Sequence, residues 1–117
     1  MKAGDVVIAS LLQADGEIKT RPAILLCELP GFGDYLLCGV SSRLRHYVEG
    51  FDQVVRKDDP DFHSSGLLKP SLIRLGYLEA VPTKDIVGVI GRISVERHRK
   101  LLVALADYLR KFSEGRS

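Results

Sequence analysis

Apolar and polar residues alternate with a period near two along most of this chain, and the spacing becomes helical only near its end. Asp5 to Leu11 (DVVIASL), residues 23 to 28 (AILLCE) and residues 35 to 40 (YLLCGV) are β-branched or aliphatic runs that predict strands. Between the last two, Pro30-Gly31-Phe32-Gly33-Asp34 has the turn chemistry of a hairpin. Gln13 to Thr20 is polar, carries an Asp15-Gly16 turn signal and predicts a mobile loop flanking Arg21. A basic, irregular stretch from Arg43 to Gly50 leads to a short strand at Asp52 to Val55 and a polar loop from Lys57 to Gly66. Ser71 to Leu75 (SLIRL), Tyr77 to Val81 (YLEAV) and Ile86 to Ile93 (IVGVIGRI) predict three further strands, with a turn at Pro82-Thr83-Lys84-Asp85.

Leu101, Leu102, Leu105, Tyr108, Leu109 and Phe112 recur at helical spacing, Ser94 is a good N-cap, and Glu96 complements the helix N-terminus. The expected fold is mainly β with α. A small barrel spans about residues 3–93, and an amphipathic helix over about 95–112 packs its apolar stripe on it, in one domain of residues 1–117. The polar tail Ser113 to Ser117 is expected to fray.

Composition adds limits rather than a function. The 117 residues suffice for one hydrophobic core without staples. No apolar run approaches the ~20 residues of a membrane span, and Met1 to Asp5 leads directly into a strand rather than a signal-peptide core, so a cytoplasmic protein is expected. Seventeen basic and 15 acidic residues leave a net charge of +2, so any nucleic-acid binding must come from local clustering. Arg43, Arg45, His46, Arg56, Lys57, Lys69 and Arg74 provide such a cluster, with Asp58, Asp59 and Asp61 as a counterweight. Cys27 and Cys38 lie on the two hairpin strands, where they can face each other as reduced core thiols. His46, His63 and His98 lack ligand spacing, and no metal or cofactor is expected.

The chemistry of interest lies at one edge of the hairpin. In an antiparallel pair the start of one strand and the end of the next share an edge, which brings Arg21 near Ser41 and Ser42. A guanidinium beside hydroxyls suits the grip of a phosphodiester. The same residues have plainer roles open to them. Arg21 before Pro22 can be an exposed residue at a strand start, Ser41 and Ser42 can satisfy loop backbone, and Arg74 can pair with Glu79 or Glu28.

GDVV at 4 to 7, TRPAILL at 20 to 26, GVSS at 39 to 42, KPSLIRL at 69 to 75 and GRIS at 91 to 94, followed by a leucine-rich helix, resemble the MazF/PemK (Kid) toxins of type II toxin–antitoxin systems. The resemblance covers nearly the whole chain in order and spacing. It implies an SH3-like barrel with a C-terminal helix, a homodimer, and metal-independent cleavage of single-stranded RNA, typically mRNA, at short sequences. The products are a 2′,3′-cyclic phosphate and a 5′-hydroxyl, and a cognate antitoxin occludes the RNA site. Carried over by motif, Arg21, Ser41 and Arg74 are the catalytic positions, with Lys19, Thr20, Ser42, Arg43 and Arg45 lining the RNA. Arg21 and Arg74 serve first in electrostatic stabilisation and second as proton donors to the leaving oxygen, because a guanidinium is a poor base near neutral pH.

Two positions depart from one branch of that family: Gly76 stands where an aspartate is the candidate base, and residues 13 to 20 contain no histidine. A catalytically silent module that binds RNA or antitoxin therefore stays open. So does a protein-targeting toxin resembling CcdB, although the absence of tryptophan and the polar Glu-Gly-Arg-Ser end argue against it.

Overall fold

The structure, a computed structural model, describes residues 1–115; Arg116 and Ser117, and with them the end of the expected frayed tail, lie outside the described residues. Six antiparallel strands form one sheet: β1 (Asp5–Leu12), β2 (Ile18–Glu28), β3 (Tyr35–Ser41), β4 (Gln53–Val55), β5 (Ser71–Val81) and β6 (Ile86–Arg92). Their order across the sheet is β4-β5-β3-β2-β1-β6, and the sheet curls into a half-barrel. A short helix α1 (Phe62–Ser65) precedes β5, and α2 (Val95–Arg110) ends the chain. The expected mainly β fold with a C-terminal helix is therefore the observed one, and no described helix is long and apolar enough to cross a membrane.

Period-two patterning buries both faces of the sheet. On one face Val6, Ile24, Leu26, Cys38, Ile73 and Leu75 pack against Leu101 and Leu105 of α2. On the other, inside the curl, Val7, Ala9, Leu11, Ala23, Leu25, Leu37 and Val81 form a second cluster. A fully buried leucine contributes roughly 1.5–3 kcal/mol, so Leu101, fully buried, and Leu105, nearly so, account for much of the attachment of α2. His98 adds a polar tie: its Nε2 lies 2.8 Å from the Leu26 carbonyl, which can only accept. The helix begins at Ser94, whose Oγ accepts from the Arg97 N–H at 3.1 Å. Ser94→Ala is expected to cost about 1 kcal/mol, read as a lower urea midpoint with unchanged slope.

Several expectations change once the chain is folded. The loop over residues 13 to 20 is shorter than predicted: Gln13 N–H donates to Glu17 O at 2.7 Å, and β2 starts at Ile18, because pairing with β1 overrides the polar composition. SLIRL and YLEAV are halves of one strand, β5, bent at Gly76. The polar loop from Lys57 to Gly66 contains α1, which sits directly on β6 because Gly91 lacks a Cβ that would collide with the Ser64 carbonyl. The stripe of α2 is only half core, since Tyr108, Leu109 and Phe112 stay exposed.

The cysteines are reduced but not opposite each other. Cys38 pairs with Ile24 and Cys27 with Leu36, because a register shift between Leu25 and Cys27 separates them. Burial, aided by the charge of Asp52, pushes the Cys38 thiol up to about 12, while Cys27 is half-buried. A thiol reagent near pH 8 is expected to modify only Cys27 in the native protein and both cysteines in urea, counted by mass.

Candidate nucleic-acid interface

The position of Arg21 follows from where β2 loses a neighbour. Its ladder with β3 ends at Ala23 opposite Gly39, while its ladder with β1 continues through Pro22 opposite Ile8 and Arg21 opposite Ala9 to Ile18 opposite Leu12. Pro22, which has no N–H, stands one residue outside the β3 ladder, where no bond to β3 is needed. Arg21 is therefore not at the start of a strand. It lies three residues inside β2, on a two-stranded extension, and its side chain is exposed.

Strand alternation decides which side chains share a face. Ala23, Gly39 and Arg74 are successive partners across β2, β3 and β5. Two residues further along β2 and β3 come Arg21 and Ser41, on the same face. The three expected catalytic residues thus sit at one end of the face inside the curl, with β2 and β5 two strand spacings, roughly 10 Å, apart. Among the described residues no carboxylate lies within ion-pairing distance of Arg21 or Arg74, so the alternative pairing of Arg74 with Glu79 or Glu28 is not formed. Ser41 Oγ accepts from the Arg43 N–H at 3.1 Å, which fixes the hydroxyl and leaves its proton free to donate outward.

The surrounding residues divide. Lys19 shares the face of Arg21 but is drawn toward Asp15 and Glu17, at 4.0 and 3.8 Å, both exposed and weak. Thr20 pairs with Ser10 and points to the opposite face. Ser42 follows the end of β3 and uses its carbonyl to accept from Leu44 N–H. Arg43 precedes a 3₁₀ turn at Leu44–His46, and Arg45 lies exposed within it.

Two of the three acidic residues of the counterweight, Asp59 and Asp61, are spent elsewhere. Arg97, on the first turn of α2 with only 11% of its side chain exposed, uses all five guanidinium donors. Nε and Nη2 reach Asp61 at 2.8 and 3.1 Å, Nη2 also reaches Asp59 at 3.0 Å, and Nη1 reaches Gln53 Oε1 and the Val54 carbonyl at 3.2 and 3.0 Å. Burial pushes the Asp61 carboxyl up, but the hydrogen bonds from Arg97 and the Ser94 N–H outweigh it and hold the group below its usual range. Asp59 and Asp61 are thus neutralised inside the fold and do not oppose the basic cluster. Nothing in the periodicity of the sequence singled out Arg97; the two aspartates that hold it are more than thirty residues away in the chain.

Tyr77 is the other residue that the sequence left unmarked. β3 residues Gly39 and Cys38 pair with Arg74 and Leu78, so Leu75, Gly76 and Tyr77 form a bulge. Asp52 Oδ1 accepts the Leu75 N–H at 3.1 Å. The bulge turns the Tyr77 ring over Gly39, where an added Cβ would stand 3.1 Å from Tyr77 Cδ1. Its hydroxyl donates to the Leu12 carbonyl at 2.5 Å and lies 3.3 Å from Glu79 Oε2.

Two grooves of about 400 Å³, one between α2 and the Tyr47 to Gln53 segment and one beside β4, lie away from Arg21, Ser41 and Arg74. A backbone phosphate gripped by cations and a hydroxyl needs a surface rather than an enclosed cavity.

No protein-family model matches the sequence, and no curated protein matches it. Among solved structures, the Mycobacterium tuberculosis toxin MazF-mt6 superposes with a TM-score of 0.67 at 19% identity, over 91% of this chain and 96% of that one. At that identity the likeness speaks for architecture, and it places this chain in the MazF/PemK-like fold.

Proposed function

We propose that this protein is a toxin of the MazF type: a metal-independent endoribonuclease that cleaves single-stranded RNA at short sequences. The observation that carries this reading is the convergence of Arg21, Ser41 and Arg74 on one end of the inner face, on a MazF-like fold, with both arginines free of carboxylates among the described residues. The 2′-hydroxyl gives up its proton to solvent water as its oxygen attacks the adjacent phosphorus; the O2′–P bond forms, the P–O5′ bond breaks, and the leaving 5′-oxygen takes a proton from a guanidinium that solvent then reprotonates. Arg21 offers a fork of donors to two phosphoryl oxygens as their charge grows. Ser41 donates its hydroxyl proton to a phosphoryl oxygen and holds the phosphate in line. Arg74, half-buried and two strands away, adds the second positive charge and, as its secondary role, protonates the 5′-oxygen. Lys19, Ser42, Arg43 and Arg45 hold the neighbouring phosphates, with Thr20 at the far side of β2.

The working form is a single-domain cytoplasmic chain that acts as a homodimer and is silenced by a cognate antitoxin protein. The test is incubation of purified protein with a long unstructured RNA in EDTA, with chemical analysis of the fragment ends. Discrete fragments ending in 2′,3′-cyclic phosphate are expected. Intact RNA from a well-folded protein would defeat the proposal and leave a silent binding module.

A further inference from the structure

We propose that Tyr77 is a stacking platform for the unpaired base next to the phosphodiester held by Arg21, Ser41 and Arg74, an assignment that rests on the RNA-cleaving function proposed above. The ring is held at both ends. Gly39 lies beneath it and leaves no room for a side chain, while its hydroxyl is tied to the Leu12 carbonyl with Glu79 beside it. Gly39 is itself the cross-strand partner of Arg74 and lies two residues from Ser41 on the same face, so the ring borders the phosphate grip.

Among the described residues no other aromatic side chain is so placed. Phe51 and Phe62 pack on the helix-side core, and Phe51, Tyr108 and Phe112 stack in series along α2 at centroid distances of 5.1 and 5.5 Å. Phe32 stands exposed on the turn after β2, Tyr47 borders the groove beside α2, and Tyr35 pairs with Val81 at the far end of β3. Single-stranded RNA is read by splayed bases laid on aromatic faces, and a ring already immobilised loses little freedom when a base lands on it. The bulge at 75–77 buries Leu75 in the core beneath α2 and carries the Tyr77 ring, partly packed on the second cluster, to the edge of the cationic end.

The test uses the full chain and a single-stranded 2′-O-methyl RNA, whose blocked nucleophile allows binding without cleavage. Tyr77→Leu is expected to weaken binding about 5- to 100-fold, Tyr77→Phe to bind nearly as wild type, and the salt slope to stay unchanged because no phosphate contact is lost. On an abasic 2′-O-methyl chain, wild type and Tyr77→Leu are expected to bind alike. If Tyr77→Leu does not fold, 2-aminopurine in the same RNA provides the second readout, with quenching expected on binding to wild type and Tyr77→Phe. Equal loss by Tyr77→Leu on base-bearing and abasic chains, or fluorescence unaltered on binding, would overturn the assignment while leaving the nuclease in place. Failure of the wild-type protein to bind any single-stranded RNA would remove the function itself, and the platform with it.

Discussion

Arg21→Ala is expected to slow RNA cleavage by roughly 10²- to 10³-fold, the range seen when one donor is removed from a developing oxyanion. The side chain is exposed, has no carboxylate partner among the described residues and lies on the two-stranded part of β2. Its loss should therefore leave folding stability within about 0.5 kcal/mol. Single-turnover rates on a defined RNA, set beside urea melts of both proteins, separate the two effects. Arg21→Lys restores charge but not the planar fork, and is expected to recover only part of the rate. Removal of one phosphate contact also lowers the salt slope of RNA binding by about one. A rate loss matched by an equal loss of stability would instead mean that Arg21 supports the strand.

Arg97→Ala acts in the opposite way, with a loss of about 3–5 kcal/mol of stability, because it leaves the buried Asp61 carboxylate, and the partly exposed Asp59, without their cation. Asp61 is only 5% exposed and receives two guanidinium donors as well as the Ser94 N–H, so its charge has no solvent to fall back on. The same pair produces an acid limb. Asp61 is held below its ordinary value, so its contribution is fully present above the unfolded carboxylate range near ~3.9 and is lost as pH falls through the lower folded-state value. Urea midpoints measured from neutral pH down to acid should fall for wild type and fall less steeply for Arg97→Ala, which has already lost the pairing. Equal slopes would show that other carboxylates govern acid unfolding.

Taken together, these substitutions separate two uses of arginine in one small fold. Arg97 is surrounded, and its worth is structural. Arg21 and Arg74, on interior strands at one end of a sheet face, are left without acidic partners among the described residues, which keeps their donors available to an anion.

Local pattern determined a good deal by itself. Seven runs of β-forming residues, two of which prove to be one strand, and a helix with its cap at Ser94 could be read along the chain because side-chain alternation and capping are effects of near neighbours. The hairpin that brings Arg21 toward Ser41 was legible for the same reason, since the turn at Pro30 to Asp34 dictates which strand ends meet. Other features were decided only by tertiary structure. The extension of β2 back to Ile18 and the offset of Cys27 from Cys38 depend on register with a neighbouring hairpin strand, and the joining of SLIRL and YLEAV into one bent strand depends on pairing with β3, distant in the chain. The withdrawal of Asp59 and Asp61 from the basic surface required Arg97 to arrive from the last helix, and the placing of Tyr77 over Gly39 required a bulge that no periodicity announces. Periodicity reports which face a residue prefers, whereas pairing register and long-range ion pairs decide what stands opposite it, and in this chain the candidate site is assembled by the second kind of information.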